Sequence, residues 1–376
     1  MSQPVSRDGL DLHGFLRNPL FKSRCQMRAQ ALDFVSSFPP LDDLDELAEA
    51  GFLSAPLPER FGGLGWGTEA GGALDLFEAL RLIGRLSLPL GEIYEAHVGA
   101  VVLAMRRGSE SQQEFVKAAL LKRQLFGLWT TDRPGAALRA TAGLLQGGKT
   151  QCAGTGVVQQ ALVTARHDPD GTNELLLAPL DQFSERGDLS CWNPAGMRAS
   201  ARGNVDLTGL PVSVCQRLEP SQDPLSELLP ARWRTLTVML GGIEAVGEAL
   251  RAHHAGHGNG SDPHMSSRLA KAMIAAETAR LWCRQACWLS EVTNAAENRV
   301  IGYMDLARNS VEQAARAVLE AAGRSLPLQL LASSNSVERM LRDLGIYLCQ
   351  PGLDGSRMAA ARSMAGLDGH VGDLWP

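Results

Sequence analysis

The 376-residue chain contains no run of 18 or more apolar residues, the length a helix needs to cross a bilayer. No membrane partner is therefore expected. Its opening, MSQPVSRDGLDLHG, holds no apolar stretch of the kind a secretory leader carries, so no export signal is expected either. There is no Cys-x-x-Cys. The seven cysteines (Cys25, Cys152, Cys191, Cys215, Cys283, Cys287, Cys349) are odd in number and scattered. They fit reduced thiols in a cytoplasmic protein, many of them packed as small apolar side chains. An excess of positive charge is also lacking. Lys and Arg total 36 against 41 Asp and Glu, giving a net charge of -5 and a pI near 5.9. That balance argues against nucleic acid as a main partner.

The common catalytic fingerprints are missing too. No Gly-x-Ser-x-Gly elbow, no His-Glu-x-x-His and no Gly-x-Gly-x-x-Gly between a strand and a helix occurs. GGLGWG (62–67) follows no strand and lacks the Lys-Ser/Thr of a phosphate cradle, so it reads as a tight connection between helices. His253, His254 and His257, with His264 nearby, have spacings that share a helix face. Gly256, Gly258, Gly260 and Pro263 end that helix among them, and no metal site is expected.

What is present is an α, β, α order. Composition is ordinary for a globular protein, at 45% hydrophobic and 20% charged. Residues 1–125 repeat apolar side chains at three and four, as in Leu41, Leu44, Leu47 and Leu76, Phe77, Leu80, Ile83. Residues 126–218 alternate, with turn residues at Gly147-Gly148 and in DPDGTN (168–173), as a domain of short strands does. From 219 to 376 the helical period returns in four segments, RWRTLTVMLGGIEAVGEALRAHH, SSRLAKAMIAAETARLWCRQACWLSEV, YMDLARNSVEQAARAVLEAAG and ERMLRDLGIYL. The last is broken by Gln350-Pro351-Gly352, after which a short helical run, Met358 to Met364, resumes. The fold class is α+β and multidomain.

Three passages resemble the acyl-CoA dehydrogenase family of flavoproteins. LAEAGFLSAPLPERFGGLGWG carries a Pro-Glu-x-x-Gly-Gly-x-Gly turn at Pro58, Glu59, Gly62, Gly63 and Gly65. CWNPAGMRASARGNVDLTGLPV carries a Gly-Met-Arg segment at Gly196, Met197 and Arg198, leading into a strand. ERMLRDLGIYL resembles the Arg-Asp helix that precedes the active-site turn, at Arg342 and Asp343. The likeness runs along nearly the whole chain in the right order. It implies an N-terminal helical domain, a central β-barrel domain and a C-terminal four-helix bundle. It also implies FAD between the last two, a homodimer or homotetramer, and removal of hydrogen from the CH–CH group of an acyl thioester by a glutamate base and the flavin.

The departures fall on the chemistry. Aligned on Arg342-Asp343, the family's glutamate position is Pro351, followed by Gly352, and proline has no proton to accept or give. The family's other base position, before an arginine on an earlier helix, is Ala231. A shift of the alignment would bring Asp354 nearest. The resemblance places the cofactor on Thr130, Thr131, Gly135, Cys152, Ala153 and Gly352, with Arg133, Arg139 and Arg198 as anion partners. The family's serine after Thr-Glu-Pro is missing here, and its Trp-x-Thr is Gln151-Cys152-Ala153. The Arg-x-Phe-Gly segment has no match, and the Gly-Gly-x-Gly turn is Leu326-Pro327-Leu328-Gln329. Three lost polar contacts at ~1–3 kcal/mol each weaken FAD binding by several orders of magnitude. Three readings follow. One is an acyl-CoA dehydrogenase-like oxidoreductase with an altered mechanism. Another is a flavin-dependent monooxygenase of the same fold, served by His97 or His370. The third is a non-catalytic relative acting as a binding or assembly subunit.

Overall fold

Helices open the chain, in the order α1 (Leu12–Arg17), α2 (Pro19–Val35), α3 (Leu41–Ala50), α4 (Ala73–Leu86), α5 (Leu88–Arg107) and α6 (Glu110–Leu121). The computed structural model describes residues 11–35, 38–168, 171–180, 184–219, 226–256, 262–332, 335–349, 353–366, 369–370 and 374–375. Most of the three-and-four pattern is the buried face: Leu44 and Leu47 on α3, and Leu76, Phe77, Leu80 and Ile83 on α4, are sealed from solvent, whereas Leu41, the first residue of α3, is exposed. The glycine-rich stretch after Pro58 joins α3 to α4, as its sequence context implies. Helix α5 begins at the Ser87 side chain, which accepts from the Leu90 N–H, with Pro89 in the first turn. It is long and apolar enough to cross a membrane by composition, yet 94% of its apolar window is buried within the protein.

Among the described residues nine strands follow: β1 (Phe126–Trp129), β2 (Arg139–Thr141), β3 (Leu144–Gln146), β4 (Gly148–Cys152), β5 (Gln160–His167), β6 (Asn173–Pro179), β7 (Gly187–Asp188), β8 (Gly203–Asp206) and β9 (Gln216–Arg217). Six make one sheet, in the order β3-β2-β5-β6-β9 with β1 also parallel to β5. The other three make an antiparallel sheet, β4-β8-β7. The expected β-barrel is thus two open sheets, and no closed barrel forms among the described residues. Along β4 the register against β8 shifts between Lys149 and Cys152 and pairing resumes at Cys152 with Gly203, while no described strand of this sheet shares a ladder with the larger one. The sheets join through the Thr150 N–H, which donates to the Thr131 carbonyl at 3.0 Å.

The C-terminal region is helical: α7 (Trp233–Gly256), α8 (Pro263–Glu291), α9 (Glu297–Ser325), α10 (Ser336–Tyr347) and α11 (Leu353–Ala365). The four long segments read from periodicity are α7 to α10, and the run resuming after the break is α11, begun five residues earlier than the pattern indicated. The break itself, Gln350 to Gly352, lies outside the described residues. All seven cysteines are free, five of them buried. Among the described residues no cluster of metal-binding side chains forms. His253 and His254 lie on the last turns of α7, while His257 is outside the described residues.

The helical regions meet backbone to backbone. A side chain at Gly84 of α4 would come within 2.3 Å of the Val238 carbonyl of α7. One at Gly241 of α7 would come within 2.4 Å of the Arg81 carbonyl. Around this contact Val238, Leu240 and Ile243 are fully buried. The sign of a Gly→Ala change therefore depends on which glycine is chosen. Gly241→Ala forces the helices apart and should destabilise by about 1–3 kcal/mol. Gly323→Ala on α9, exposed with no atom near the new methyl, should stabilise by roughly 0.5–1 kcal/mol through helix propensity. Urea denaturation of the two variants checks both signs.

Candidate active site

The Gly-Met-Arg segment and the Arg-Asp helix, 146 residues apart in sequence, clasp each other. Asp343 on α10 accepts from the Met197 N–H at 2.6 Å and pairs with Arg339 at 3.0 Å. Gly196 lies against the α10 backbone, where a side chain would meet the Arg342 carbonyl at 2.4 Å. Arg342 pairs with Glu338 on its own helix and Asp33 on α2, and donates to the Ala195 carbonyl. Asp343 is buried, which raises its pKa, and the Arg339 cation opposes the shift. The loop 191–202 thus hangs from α10 and α2.

The residues placed on the cofactor by the resemblance come together in part. Thr130 and Thr131 leave β1 beside the β4 bulge. Neither hydroxyl has a partner among the described residues, and Thr131 is exposed. Gly135 is at the open tip of the following turn, with φ of +76°. Asp132 is spent inside that turn, accepting from Lys149 at 2.6 Å and from the Leu138 N–H at 3.2 Å. Cys152 faces inward, fully buried, and burial pushes its thiol pKa up. Ala153 is 8% exposed, and its carbonyl accepts from the Trp129 indole at 3.1 Å. These two reach a ligand through backbone atoms alone. Gly352 is outside the described residues. Of the anion partners, Arg198 donates to the Pro194 and Asp33 carbonyls and Arg139 pairs with Asp168. Arg133 is exposed, with no hydrogen bond from its guanidinium among the described residues.

A second cluster was not visible from motifs. Glu92 on α5 pairs with Arg202, which stacks over the Trp192 ring at 5.6 Å and donates to Gln151 Oε1 at 3.4 Å. Gln151 is exposed and occupies the bulge of β4 with φ of +58°. Tyr347, ending α10, is buried within electrostatic reach of Arg202. N-terminal helix, strand domain and C-terminal helix therefore converge here. Glu92 Oε2 is shielded from solvent with no hydrogen-bond partner among the described residues. No signal in the sequence marks these residues, because each comes from a different segment with ordinary neighbours.

Neither base position supplies a carboxylate. Ala231 lies in the turn Pro230–Arg232 before α7, and Pro351 is outside the described residues, as is the side chain of Asp354. Next to Ala231, Arg232 reaches Asp305 on α9 at 3.6 Å. Asp305 is 4% exposed and burial raises its pKa, against the pull of Arg232 and then Arg308. One turn on, Asn309 accepts from Arg357 of α11 at 2.8 Å. Asp305 is the buried acid that periodicity hid on a core helix. His97 is sealed in α5: its Nε2 lies 3.0 Å from the Leu53 carbonyl, and its Nδ1 accepts from the Phe126 N–H at 3.0 Å. With both nitrogens engaged it is neutral and structural, so it is not available as a monooxygenase group. His370 is exposed.

Residues 19–123 match the family model described as acyl-CoA dehydrogenase, N-terminal domain. The remainder of the chain continues in the α, β, α order, and the whole shares its fold with the solved structures that follow. Solved structures of the same fold include a nitrososynthase from Micromonospora carbonacea var. africana. It has a TM-score of 0.78 and 18% identity, over 97% of this chain and 98% of that one. TdsC of Paenibacillus sp. A11-2, solved with FMN and indole, gives 0.79 and 14% over 99% and 98%; it is described as a dibenzothiophene monooxygenase. The methanesulfinate monooxygenase MsuC of Pseudomonas fluorescens gives 0.77 and 17% over 99% and 100%. No curated protein matches the chain by sequence.

The Thr130 and Thr131 hydroxyls, without a partner among the described residues, are the side-chain groups beside the bulge that a flavin ring would use. The adenylate half of FAD is less well served. Where the family has a glycine turn, Pro327 starts a 3-10 turn, Leu328–Leu331, with Leu328 exposed.

Two outcomes test these assignments. His97 takes a proton near pH 6.5 when unfolded but only near 4 in the folded chain, because burial disfavours its charge. Stability present above pH 6.5 should therefore be lost as pH falls toward 4, by about 3 kcal/mol at roughly 1.4 kcal/mol per unit. Denaturation of wild type against His97→Asn across that range isolates the term. Asp343→Asn leaves Arg339 buried without its counter-charge and should cost about 3–5 kcal/mol, whereas Arg339→Met with Asp343→Leu should recover much of it.

Proposed function

We propose that the chain is an FMN-dependent monooxygenase of the acyl-CoA dehydrogenase family, in preference to a dehydrogenase of acyl thioesters. The observation that carries this reading is the commitment of the carboxylates. Both family base positions lack one. Buried acids among the described residues have arginine partners: Asp343 has Arg339 and a backbone N–H, Glu92 has Arg202, and Asp305 has Arg232 at 3.6 Å. Dehydrogenation needs a free carboxylate over the substrate, whereas oxygen insertion does not. The FMN-bound and monooxygenase relatives support the same choice. So do the missing contacts for an adenylate.

In this reading Thr130 and Thr131 hydrogen-bond the ring at the bulge, and Arg133 is available to the phosphate. Trp192, Tyr347 and the α5 wall keep water from the reacting atoms. Reduced FMN supplies the electrons by which one atom of oxygen enters the substrate and the other leaves as water. The test is the visible spectrum after loading with FMN, then oxygen uptake with chemically reduced FMN. One flavin per chain and flavin-dependent uptake are expected. Bleaching of bound flavin by acyl-CoA, lost in Asp305→Asn, would instead establish the dehydrogenase reading with Asp305 as base. A folded protein that takes no flavin would establish the non-catalytic relative.

The partner we propose is a second copy. Helix α8 exposes Ile274 (69%) and Leu281 (53%) two turns apart on one side, an apolar stripe that association of the C-terminal helices would cover. Ile274→Lys with Leu281→Lys should yield a monomer by light scattering while the circular dichroism stays unchanged.

A further inference from the structure

The larger sheet carries a cluster of cations that the proposed function does not use. Arg139 of β2 and Arg166 of β5 are partners across a parallel ladder, and Asn173 of β6 is the antiparallel partner of Arg166. Partners in register point to one face, and so does Thr164, two residues before Arg166. These four residues, with Asp132, Ala137 and Ala165, line a cavity of about 210 Å³. Lys149 stands behind two of them: its side chain is 1% exposed, and its Nζ donates to Thr164 Oγ1 at 2.9 Å and to Asp132 at 2.6 Å. Three cations thus meet two carboxylates, and both carboxylates are engaged away from Arg166. Asp132 is held by Lys149, while Asp168 accepts from Arg139 at 3.2 Å and from the Thr141 hydroxyl at 3.0 Å. Two guanidinium groups side by side on adjacent strands repel, and cross-strand neighbours of like charge cost stability. A purely structural arrangement would set a carboxylate against Arg166; here the two arginines share a cavity instead.

We propose that this cavity binds the phosphate group of a small molecule. Arg139, Arg166 and the Asn173 amide approach from three strands, so the donors surround an oxyanion rather than meet one flat edge. A planar carboxylate is met by one guanidinium fork, whereas a tetrahedral phosphate offers oxygens to both forks and to the amide. The volume suits it: at roughly 30 Å³ per water molecule, the cavity has room for a phosphate and the first atoms of its ester. A bound anion would remove the repulsion between the arginines and add to the balance of the buried Lys149 charge. Asp132 brings a carboxylate to the wall, and Lys149 neutralises it. The proposal does not rest on the flavin reading. The two sites are neighbours in the chain, because Asp132 follows Thr131 and the Thr130 carbonyl accepts from Lys149 Nζ and the Thr164 hydroxyl. The phosphate can therefore come from the flavin itself or from a separate phosphorylated molecule, with the same recognition chemistry.

Calorimetric titration of the full chain with inorganic phosphate tests this, with FMN and riboflavin as competitors. Saturable binding of about one phosphate per chain is expected. Arg166→Met and Arg139→Met should each weaken it about tenfold or more, and Arg166→Lys by less. Asn173→Asp should weaken it by adding a negative charge. Arg324→Met, which removes an exposed arginine of α9, should leave it unchanged. Arg166 is itself exposed, so its replacement spares the core, and an unchanged circular dichroism spectrum checks that. Competition by FMN but not by riboflavin would support the site with the flavin phosphate as its occupant. Phosphate binding undisturbed by FMN would support it with a separate phosphorylated molecule. Absence of saturable binding, or binding unchanged in Arg166→Met and Arg139→Met, would overturn the proposal and leave the flavin reading standing.

Discussion

The Asp343 carboxylate ties the structure together. It is buried on α10, pairs with Arg339 one turn before it, and accepts the Met197 N–H from a loop in the strand domain. A charge so placed is expensive unless both partners stay. Neither α10 nor the loop 191–202 can move alone. Gly196 makes the same demand sterically, since only a residue without a side chain lets the loop rest on the α10 backbone. Arg342 adds α2 through Asp33. The positions of Trp192 and Arg202, and so the shape of the candidate site, follow from this one junction.

The same logic of committed charge underlies the proposed preference for a monooxygenase over a dehydrogenase. A catalytic carboxylate has to be desolvated yet free to take a proton. Here the desolvated carboxylates have arginine partners, and arginine does not release its proton in this pH range. Burial is also used against charge. His97 is held neutral by two hydrogen bonds inside α5, which turns a residue of catalytic type into a packing element linking α5, the Leu53 turn and β1.

Much of the fold is legible in the sequence. Helical period and strand alternation give the α, β, α order, and the texture changes where β1 begins at Phe126 and after β9 ends at Arg217. Those patterns survive because each element buries one face, which the spacing of Leu76, Phe77, Leu80 and Ile83 records directly. The resemblance also singled out the segment Gly196 to Arg198, which the structure holds against α10. Less legible was whether the strands close into a barrel, since which strand pairs with which is decided by segments far apart in sequence. Periodicity gives no inkling of it. Nor does it show that Cys152 faces inward, or that Asp305 is an acid in a helical core.

The sequence alone determined the helical and strand regions, the residues Pro351 and Ala231 where the resembling family has a glutamate, and the likeness to that family, because these depend on residue identity and local spacing. Tertiary structure alone decided which charges meet. Glu92, Gln151, Arg202 and Tyr347 come from three regions of the chain and meet only where α5, the β4 bulge and α10 converge. Pairing energies depend on distance and burial, and a linear sequence carries neither.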